Sequence, residues 1–123
     1  MKSHVDLDVW KKSVDLAAEV YKVTANYPSD EKFGLVSQMR RSAVSIASNI
    51  AEGAGRTGNR EFLQFLSIAS GSASELSTQL VISRRISIGD DVALSRLEQS
   101  VANVSQMIRG LVRAVRGRDS ERP

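Results

Sequence analysis

The sequence of 123 residues has no cysteine, one histidine, two prolines and few aromatic residues. Without cysteine it can form no disulfide bond, thiolate metal site or cysteine nucleophile. No apolar run approaches the roughly 18 residues of a membrane-spanning helix, and the amino-terminal segment lacks the apolar stretch of a secretory signal. We therefore expect a cytoplasmic protein that does not associate with membranes.

The scarcity of reactive side chains argues against an enzyme. Di-metal helical bundles use Glu-x-x-His pairs on facing helices, whereas His4 lies outside the predicted helices and is expected to be solvated. No Walker or Rossmann phosphate-binding motif occurs. The stretch GAGRTGNR precedes a helix and could hold a phosphate, although an interhelical loop is the simpler interpretation. We expect no catalytic residue, metal site or cofactor.

Alanine, serine, leucine and valine dominate, a composition that favours helices over sheets. We assign residues 1–116 to a single domain and residues 117–123 to a frayed basic tail. The net charge of +3 is unevenly distributed. Residues 32–85 hold seven basic and three acidic residues, and the last fifteen hold five arginines and two acidic residues. Such a basic bias is compatible with nucleic-acid binding but is also common in proteins that bind none.

Apolar residues at helical spacing predict four amphipathic helices. The first runs from about Leu7 to Asn26, with Asp6 capping its start and with Trp10 and Tyr21 as core anchors. Its apolar face consists of Leu7, Trp10, Val14, Ala17, Tyr21 and Thr24.

The second helix carries the apolar residues Leu35, Met39, Ala43, Ile46 and Ile50. It should stop at Gly53 and Gly55, because glycine adopts the left-handed conformation of a helix end at little cost.

The third helix begins at Asn59 or Arg60 and buries Phe62, Phe65, Leu66, Ala69, Ala73, Leu76 and Leu80. Asp90 or Asp91 caps the fourth helix. That helix has a heptad seam formed by Leu94, Leu97, Val101, Val104, Ile108, Leu111 and Val115. Short loops between four such helices predict an antiparallel up-down-up-down bundle.

Small and polar residues form a row beside the apolar stripe on each of the two middle helices. The rows are Ser42, Ser45, Asn49 and Glu52 on the second helix, and Ser67, Gly71, Ser74 and Thr78 on the third. We expect the two rows to meet; the alternative is that one of them meets a neighbouring subunit. Asn49 and Glu52 should then lie inside and bond to the third helix, with Glu75 as a further structural polar residue.

Arginines are the candidate contacts to nucleic acid. Arg40, Arg41, Arg56 and Arg60 bracket the second helix and its following loop. Arg109, Arg113 and Arg116 recur at spacings of four and three, so they share a face of the fourth helix. Solvated faces and complements to helix dipoles are the alternative interpretation. The first candidates are Arg40, Arg41 and Arg56, and the fourth-helix set is the fallback.

Several stretches resemble the 23S rRNA intervening-sequence protein family over roughly residues 7–112. They are LDVW at 7–10, FGL at 33–35, QMRRS at 38–42, SIASNIAEG at 45–53, GS at 71–72 and EL at 75–76. The family usually has proline where Ala47 stands and often serine where Gly58 stands. In the stretch at 85–88 it is more aromatic and less basic.

The resemblance implies small bacterial four-helix bundles that assemble into a homo-oligomeric ring, typically a pentamer, with an unsettled biochemical role. Phe33, Phe65 and Val112 are candidate residues for contacts between subunits. On this basis we expect a non-enzymatic oligomer that binds RNA or DNA through arginine-rich surfaces. The alternative is a scaffold that binds a protein partner and no nucleic acid.

Overall fold

The computed structural model describes residues 3–120, with side chains described up to Arg118. Four long helices make up most of this range: α1 Asp8–Thr24, α2 Leu35–Ala54, α3 Asn59–Arg85 and α4 Asp91–Ser120. Two short 3-10 turns, His4–Asp6 and Ser29–Glu31, precede α1 and α2. Residues 3–120 contain no strand, which confirms the prediction of an all-α protein with four helices.

The helices enclose one core, since α2 packs on α1 and α3, and α4 packs on α3 and α1. Within the described residues, no Cα atom of α1 lies within 8 Å of one in α3, and the same is true of α2 and α4. The seven-residue seam predicted for α4 is confirmed: six of its members are buried, and Leu111 is half-buried against the core. The predicted apolar stripes of α2 and α3 also face the core, with Leu35 and Phe65 half-buried at their margins.

The predicted apolar face of α1 is partly confirmed: Thr24 is buried and Leu7, Trp10 and Ala17 pack against the core, but the other two of its six members do not. The buried stripe is Val9, Ser13, Leu16, Val20 and Thr24, whereas Val14 and Tyr21 are 41% and 45% exposed. Of the two expected core anchors, Trp10 packs partly against the core. His4, expected in solvent, is half-buried with its ring centroid 4.9 Å from that of Trp10.

A hydroxyl group in the buried stripe of α1 obscured its true face. Ser13 interrupts the apolar pattern, and the sequence pattern favoured the more hydrophobic Val14 beside it, whereas Thr24 was predicted on the apolar face and is buried. In the structure the Ser13 hydroxyl donates to the Val9 carbonyl at 2.6 Å, and the Thr24 hydroxyl donates to the Val20 carbonyl at 2.6 Å. Because these bonds to the preceding turn satisfy both hydroxyls, the two residues can be buried without an unpaired polar group.

The small rows of α2 and α3 do not meet as predicted. Ser42 is buried and Ser45 half-buried on the α2 side. However, the α3 residue that bonds Ser45 is Ser72, with hydroxyl oxygens 2.8 Å apart. The predicted α3 row lies one position away and is exposed at Ser67, Gly71, Ser74 and Thr78. The stripe that faces α2 therefore includes Ser72, which the sequence pattern did not single out.

Helix α2 approaches α3 closely at Gly53. A Cβ placed on this glycine would lie 2.7 Å from the Cβ of Phe65 and 3.0 Å from Cδ1 of Phe62. Real Cβ atoms do not come so close, so the contact requires glycine. We call Ser45, Gly53, Phe62, Phe65 and Ser72 the α2–α3 seam. Gly53 lies inside α2, and Gly55 ends the helix at φ −81°. The predicted stop is therefore confirmed at Gly55, but the left-handed conformation predicted for it is wrong.

Polar bonds connect the end of α3 to the loop before α4. The Tyr27 hydroxyl donates to Ser83 Oγ, and Ser83 Oγ donates to the Ile88 carbonyl at 2.7 Å. Gly89 has φ +95°, and a Cβ there would lie 2.9 Å from the Tyr27 hydroxyl oxygen. The Asp90 carboxylate accepts from the Ala93 amide at 2.9 Å, which confirms the predicted cap of α4. We call Tyr27, Ser83, Ile88, Gly89 and Asp90 the α3–α4 junction.

The predicted start of α1 differs from the structure. Asp6 lies in the 3-10 turn, and Leu7 precedes α1 with no side-chain cap bond. Helix α4 continues through Gly117 to Ser120, within the segment expected to fray. One glycine costs a helix only about 1 kcal/mol, which need not end it. Residues 121–123 lie outside the described range. Among the described helices, none is both long and apolar enough to span a membrane.

Candidate nucleic-acid interface

Arg40 is held against α1. Its Nε donates to Thr24 Oγ1 at 3.0 Å, and its Nη2 donates to the Tyr21 carbonyl at 3.3 Å. The guanidinium carbon lies 4.5 Å from the centroid of the Tyr21 ring. Tyr21, predicted as a core anchor, thus serves as an exposed platform for a cation. These contacts between helices occupy much of the donor capacity that a phosphate would need.

Arg56 is likewise occupied, at the end of α2. Its Nη2 lies 2.6 Å from Glu52 Oε1, and its Nε lies 3.9 Å from Glu61 Oε2. The guanidinium carbon also lies 5.0 Å from the centroid of the Phe65 ring. Two carboxylates therefore offset its charge, which lowers the local attraction for an anion.

Four of the other candidate arginines have exposed side chains that make no hydrogen bond, ion pair or ring contact with the described residues: Arg41, Arg60, Arg109 and Arg113. Arg116 is exposed and takes part in an interaction of its own. Arg41 lies on α2 beside a groove towards α1, and Arg60 lies in the first turn of α3. Arg109, Arg113 and Arg116 lie on α4. The structure therefore separates the seven candidates into three groups on different helices, with no described contact between the groups.

The carboxyl-terminal half of α4 has the most uniform charge. Residues 99–118 contain Arg109, Arg113, Arg116 and Arg118 and no acidic residue. Because the first three share a helix face and are all exposed, their positive potentials add along that face.

Arg84, which the sequence analysis did not select, is paired with acidic residues, unlike Arg109 and Arg113 of α4. Its Nη2 lies 2.6 Å from Glu98 Oε1 and its Nη1 lies 3.3 Å from Asp91 Oδ1, so it joins the end of α3 to α4. The hydrogen bond to Glu98 raises the Arg84 pKa above its ordinary value, with smaller contributions from the charges of Glu98 and Asp91.

The three residues predicted to be structural polar groups have different environments. Asn49 is half-buried, but its amide donates to the Ser45 carbonyl at 2.8 Å and to Ser45 Oγ at 3.0 Å, within α2 rather than to α3. Glu52, expected inside, is exposed and pairs with Arg56. Glu75 is exposed and makes no bond with the described residues, so its predicted structural role is wrong. In both glutamates the charge is left in water, because burial without a full set of partners is costly.

Two open grooves flank the amino-terminal half of α2. The first, of about 590 Å³, lies towards α3 and has both acidic and apolar residues. We call it the acidic groove, and its main residues are Glu31, Leu35, Glu75, Gln79, Ile82 and Ile86. The second, of about 610 Å³, lies towards α1. We call it the basic patch, and its main residues are Tyr21, Lys32, Phe33, Arg40, Arg41 and Val44.

The four helices place this chain in a class of small all-α proteins. Its structure is similar to that of one solved protein with the same fold. The solved protein is one of unknown function from the S23 ribosomal protein family of Bacteroides thetaiotaomicron VPI-5482, with a crystal structure at 1.70 Å resolution. The TM-score is 0.76, and the match covers 85% of this chain and 97% of that chain. With 22% sequence identity, the likeness shows the shared fold. A comparison with curated proteins gives no significant match.

Residues 5–110 match the family model described as 23S rRNA-intervening sequence protein. Because the match covers most of the chain, this protein belongs to that family. The resemblance identified in the sequence is confirmed.

Proposed function

We propose that this protein is a non-enzymatic cytoplasmic oligomer that contacts the phosphates of RNA or DNA through exposed arginines, chiefly on α4. The observation that carries the proposal is the row of Arg109 and Arg113, continued by Arg116 on the same exposed face, in a segment without an acidic residue. Arg109 and Arg113 have no partner among the described residues, so their donors are available to a phosphate. Arg41 and Arg60 are secondary candidates.

Phosphate contact is the mode of recognition that these residues favour. A guanidinium group offers paired donors that match phosphate oxygens. The sequence has no recognisable base-reading module, so binding should depend little on nucleotide sequence. The family's description refers to 23S rRNA, which supports structured RNA as the first probe.

We further propose that the helices run up-down-up-down as an antiparallel bundle. Two contacts between α2 and α3 support this arrangement, since the second lies farther than the first from the connecting loop on both helices: Gly53 with Phe65, and Ser45 with Ser72. Tyr27 and Ser83, which lie near the ends of α1 and α3, meet beside the loop before α4.

The proposed oligomer is a closed ring, most simply the pentamer implied by the family resemblance. Large apolar side chains exposed on the single chain support it, among them Phe33 at 87% and Ile68 at 51%. Of the other candidate contacts, Phe65 and Val112 are half-buried and so offer less surface than Phe33. A ring would repeat one modest arginine row around an axis, and such multivalency increases avidity without new contacts.

A fluorescence-anisotropy titration tests the nucleic-acid proposal. Structured RNA and duplex DNA are each titrated at about 50 and 200 mM salt with protein of known oligomeric mass. Affinity should fall steeply with salt, because each neutralised phosphate releases condensed counterions. The double variant Arg109→Ala/Arg113→Ala should bind more weakly, and its salt slope should be smaller by about one for each phosphate that a subunit no longer neutralises.

A matched control removes the same charge from arginines that are already engaged. Arg40→Ala/Arg56→Ala should leave the salt slope nearly unchanged, because these guanidinium groups bond within the chain. Circular dichroism must show that both double variants remain folded. Equal loss of binding in the two variants would contradict the assignment to α4.

A protein-interaction scaffold is the second candidate function, and the two open grooves beside α2 are the observation that favours it. If oligomeric protein binds neither RNA nor DNA at low salt, the scaffold replaces the nucleic-acid proposal.

A further inference from the structure

The two grooves beside α2 are opposite in charge. The acidic groove contains Glu31 and Glu75, and none of the described residues that line it is basic. The basic patch contains Lys32, Arg40 and Arg41, and its described lining holds no acidic residue. Neighbouring surfaces of one chain are therefore complementary in sign, and in protein complexes complementary charges steer association and fix register.

The basic patch contains the most exposed large apolar side chain among the described residues. The Phe33 side chain is 87% exposed, and the Lys32 ammonium lies 5.5 Å from its ring centroid. Val44, on the same patch, is 41% exposed. Arg41 is exposed without a partner among the described residues. A projecting phenyl ring bordered by cations is suited to a recess that is apolar within and acidic at its edge.

The acidic groove offers such a recess. Ile82 and Ile86 are 44% and 48% exposed, and Leu35 lies between the elements that bear the two acids. The Gln79 Oε1 atom is buried and accepts no hydrogen bond from the described residues.

We propose that the acidic groove of one copy receives the basic patch of a second copy, with Phe33 against Ile82 and Ile86 and with Arg41 facing Glu75. The proposal rests on the oligomer of the proposed function and names the two surfaces that build it. Because the two surfaces differ, each copy can offer one to each of two neighbours, as a ring requires. Arg41 then belongs to the subunit contact and leaves the set of nucleic-acid candidates.

Charge reversal tests the pairing. Light scattering at micromolar concentration measures the mass of wild type, Arg41→Glu, Glu75→Arg and the double variant. Each single reversal places like charges across every contact between subunits, which opposes association. Each should therefore raise the concentration needed for assembly at least about tenfold. In the double variant the charges are opposite again, so the wild-type mass should return. Phe33→Ser should also lower the mass.

Two controls separate the loss of the subunit interface from the loss of the fold. Arg96→Glu and Asp15→Arg reverse exposed charges outside both surfaces and should keep the wild-type mass. Circular dichroism should show native helix content in every variant, because neither Arg41 nor Glu75 makes an internal bond among the described residues.

The outcomes also distinguish this pairing from the proposed function. Unchanged mass in both single variants of an oligomeric protein would overturn the pairing while the oligomer stands. The pairing also fails if the single variants dissociate and the double variant does not reassemble. If Arg41→Glu keeps its mass but binds RNA more weakly, the basic patch is a nucleic-acid surface instead. A monomeric wild type refutes the ring and the pairing, whereas RNA binding is judged separately by anisotropy.

Discussion

Helix α3 is attached to its neighbours by different forces at its two ends. Near its start, the α2–α3 seam depends on the absence of a side chain at Gly53, which lets two phenylalanines lie against the α2 backbone. At its end, the α3–α4 junction depends on polar groups: the hydroxyls of Tyr27 and Ser83 bond α3 to the loops that follow α1 and α3, and the Asp90 carboxylate caps α4. The seam should therefore be sensitive to volume, whereas the junction should be sensitive to single polar groups and to pH.

The largest effect is expected where volume is added to the seam. Gly53→Ala places a Cβ 2.7 Å from the Phe65 Cβ, which is anchored to its backbone and cannot swing away. Overpacking of this kind costs about 1–3 kcal/mol of unfolding free energy. The measurement is chemical denaturation at one fixed protein concentration, because assembly also contributes to stability.

Gly71→Ala is the matched control for this prediction. A Cβ there meets no atom within 4 Å, so the substitution should stabilise α3 by about 0.5–1 kcal/mol through helix propensity alone. The same chemical change should therefore have opposite signs at the two glycines. Stabilisation by both substitutions would show that the seam can relax. It would contradict the conclusion that the seam, unlike the junction, is sensitive to volume.

At the junction, Tyr27→Phe removes the hydroxyl that donates to Ser83 while keeping the buried ring. The expected loss is about 1 kcal/mol, the net contribution of one hydrogen bond, since Ser83 retains its bond to Ile88. Tyr21→Phe is the control, because the Tyr21 hydroxyl makes no bond with the described residues. An equal loss in both variants would contradict the role of the junction bond.

The same substitution should change the dependence of stability on pH. Burial raises the Tyr27 pKa, and the bond to Ser83 offsets part of that rise. A raised pKa means that the folded protein holds the phenolic proton more tightly than the unfolded chain. The protonated Tyr27 side chain therefore adds to the free energy of unfolding. This contribution is complete below the ordinary tyrosine pKa of about 10 and is lost as the pH rises from there through the pKa of the folded protein. Denaturation at pH 8–11 should show a shallower decline in Tyr27→Phe.

The sequence predicted best those elements whose apolar spacing has a single interpretation. The seam of α4 repeats without interruption, and every predicted member packs in or against the core. In α1, by contrast, Ser13 occupies the buried stripe because its hydroxyl bonds within the helix. The pattern favoured Val14 and Tyr21 instead. Bonds from a side chain to its own helix are not visible in hydrophobic periodicity, so the predicted face was displaced.

The candidate site was predicted less completely than the fold. Sequence spacing placed Arg109, Arg113 and Arg116 on one face of α4, but it could not show that Arg40 is engaged, since its partners Tyr21 and Thr24 come from another helix. For Arg56, the spacing of four from Glu52 was an available signal of its ion pair. The position of Phe33 directly before Gly34, among charged residues, was the available signal for its exposure. The opposite charges of the two grooves arise only after α2 is placed between α1 and α3.

The smallest expected change in stability concerns the Asp90 cap at the α3–α4 junction. Asp90→Ala removes the carboxylate that accepts from the Ala93 amide and should cost about 0.5–1 kcal/mol, as the loss of a helix cap does. Asp91→Ala is the matched control. Its 88% exposed side chain only pairs with Arg84, and such surface ion pairs contribute little. Raising salt to about 1 M should reduce the loss of stability in Asp91→Ala, because salt screens exposed charges. Most of the loss in Asp90→Ala should remain, because that carboxylate makes a direct hydrogen bond. If both substitutions cost the same at low salt and lose their effect together at high salt, then charge alone stabilises the start of α4 and the cap contributes nothing specific.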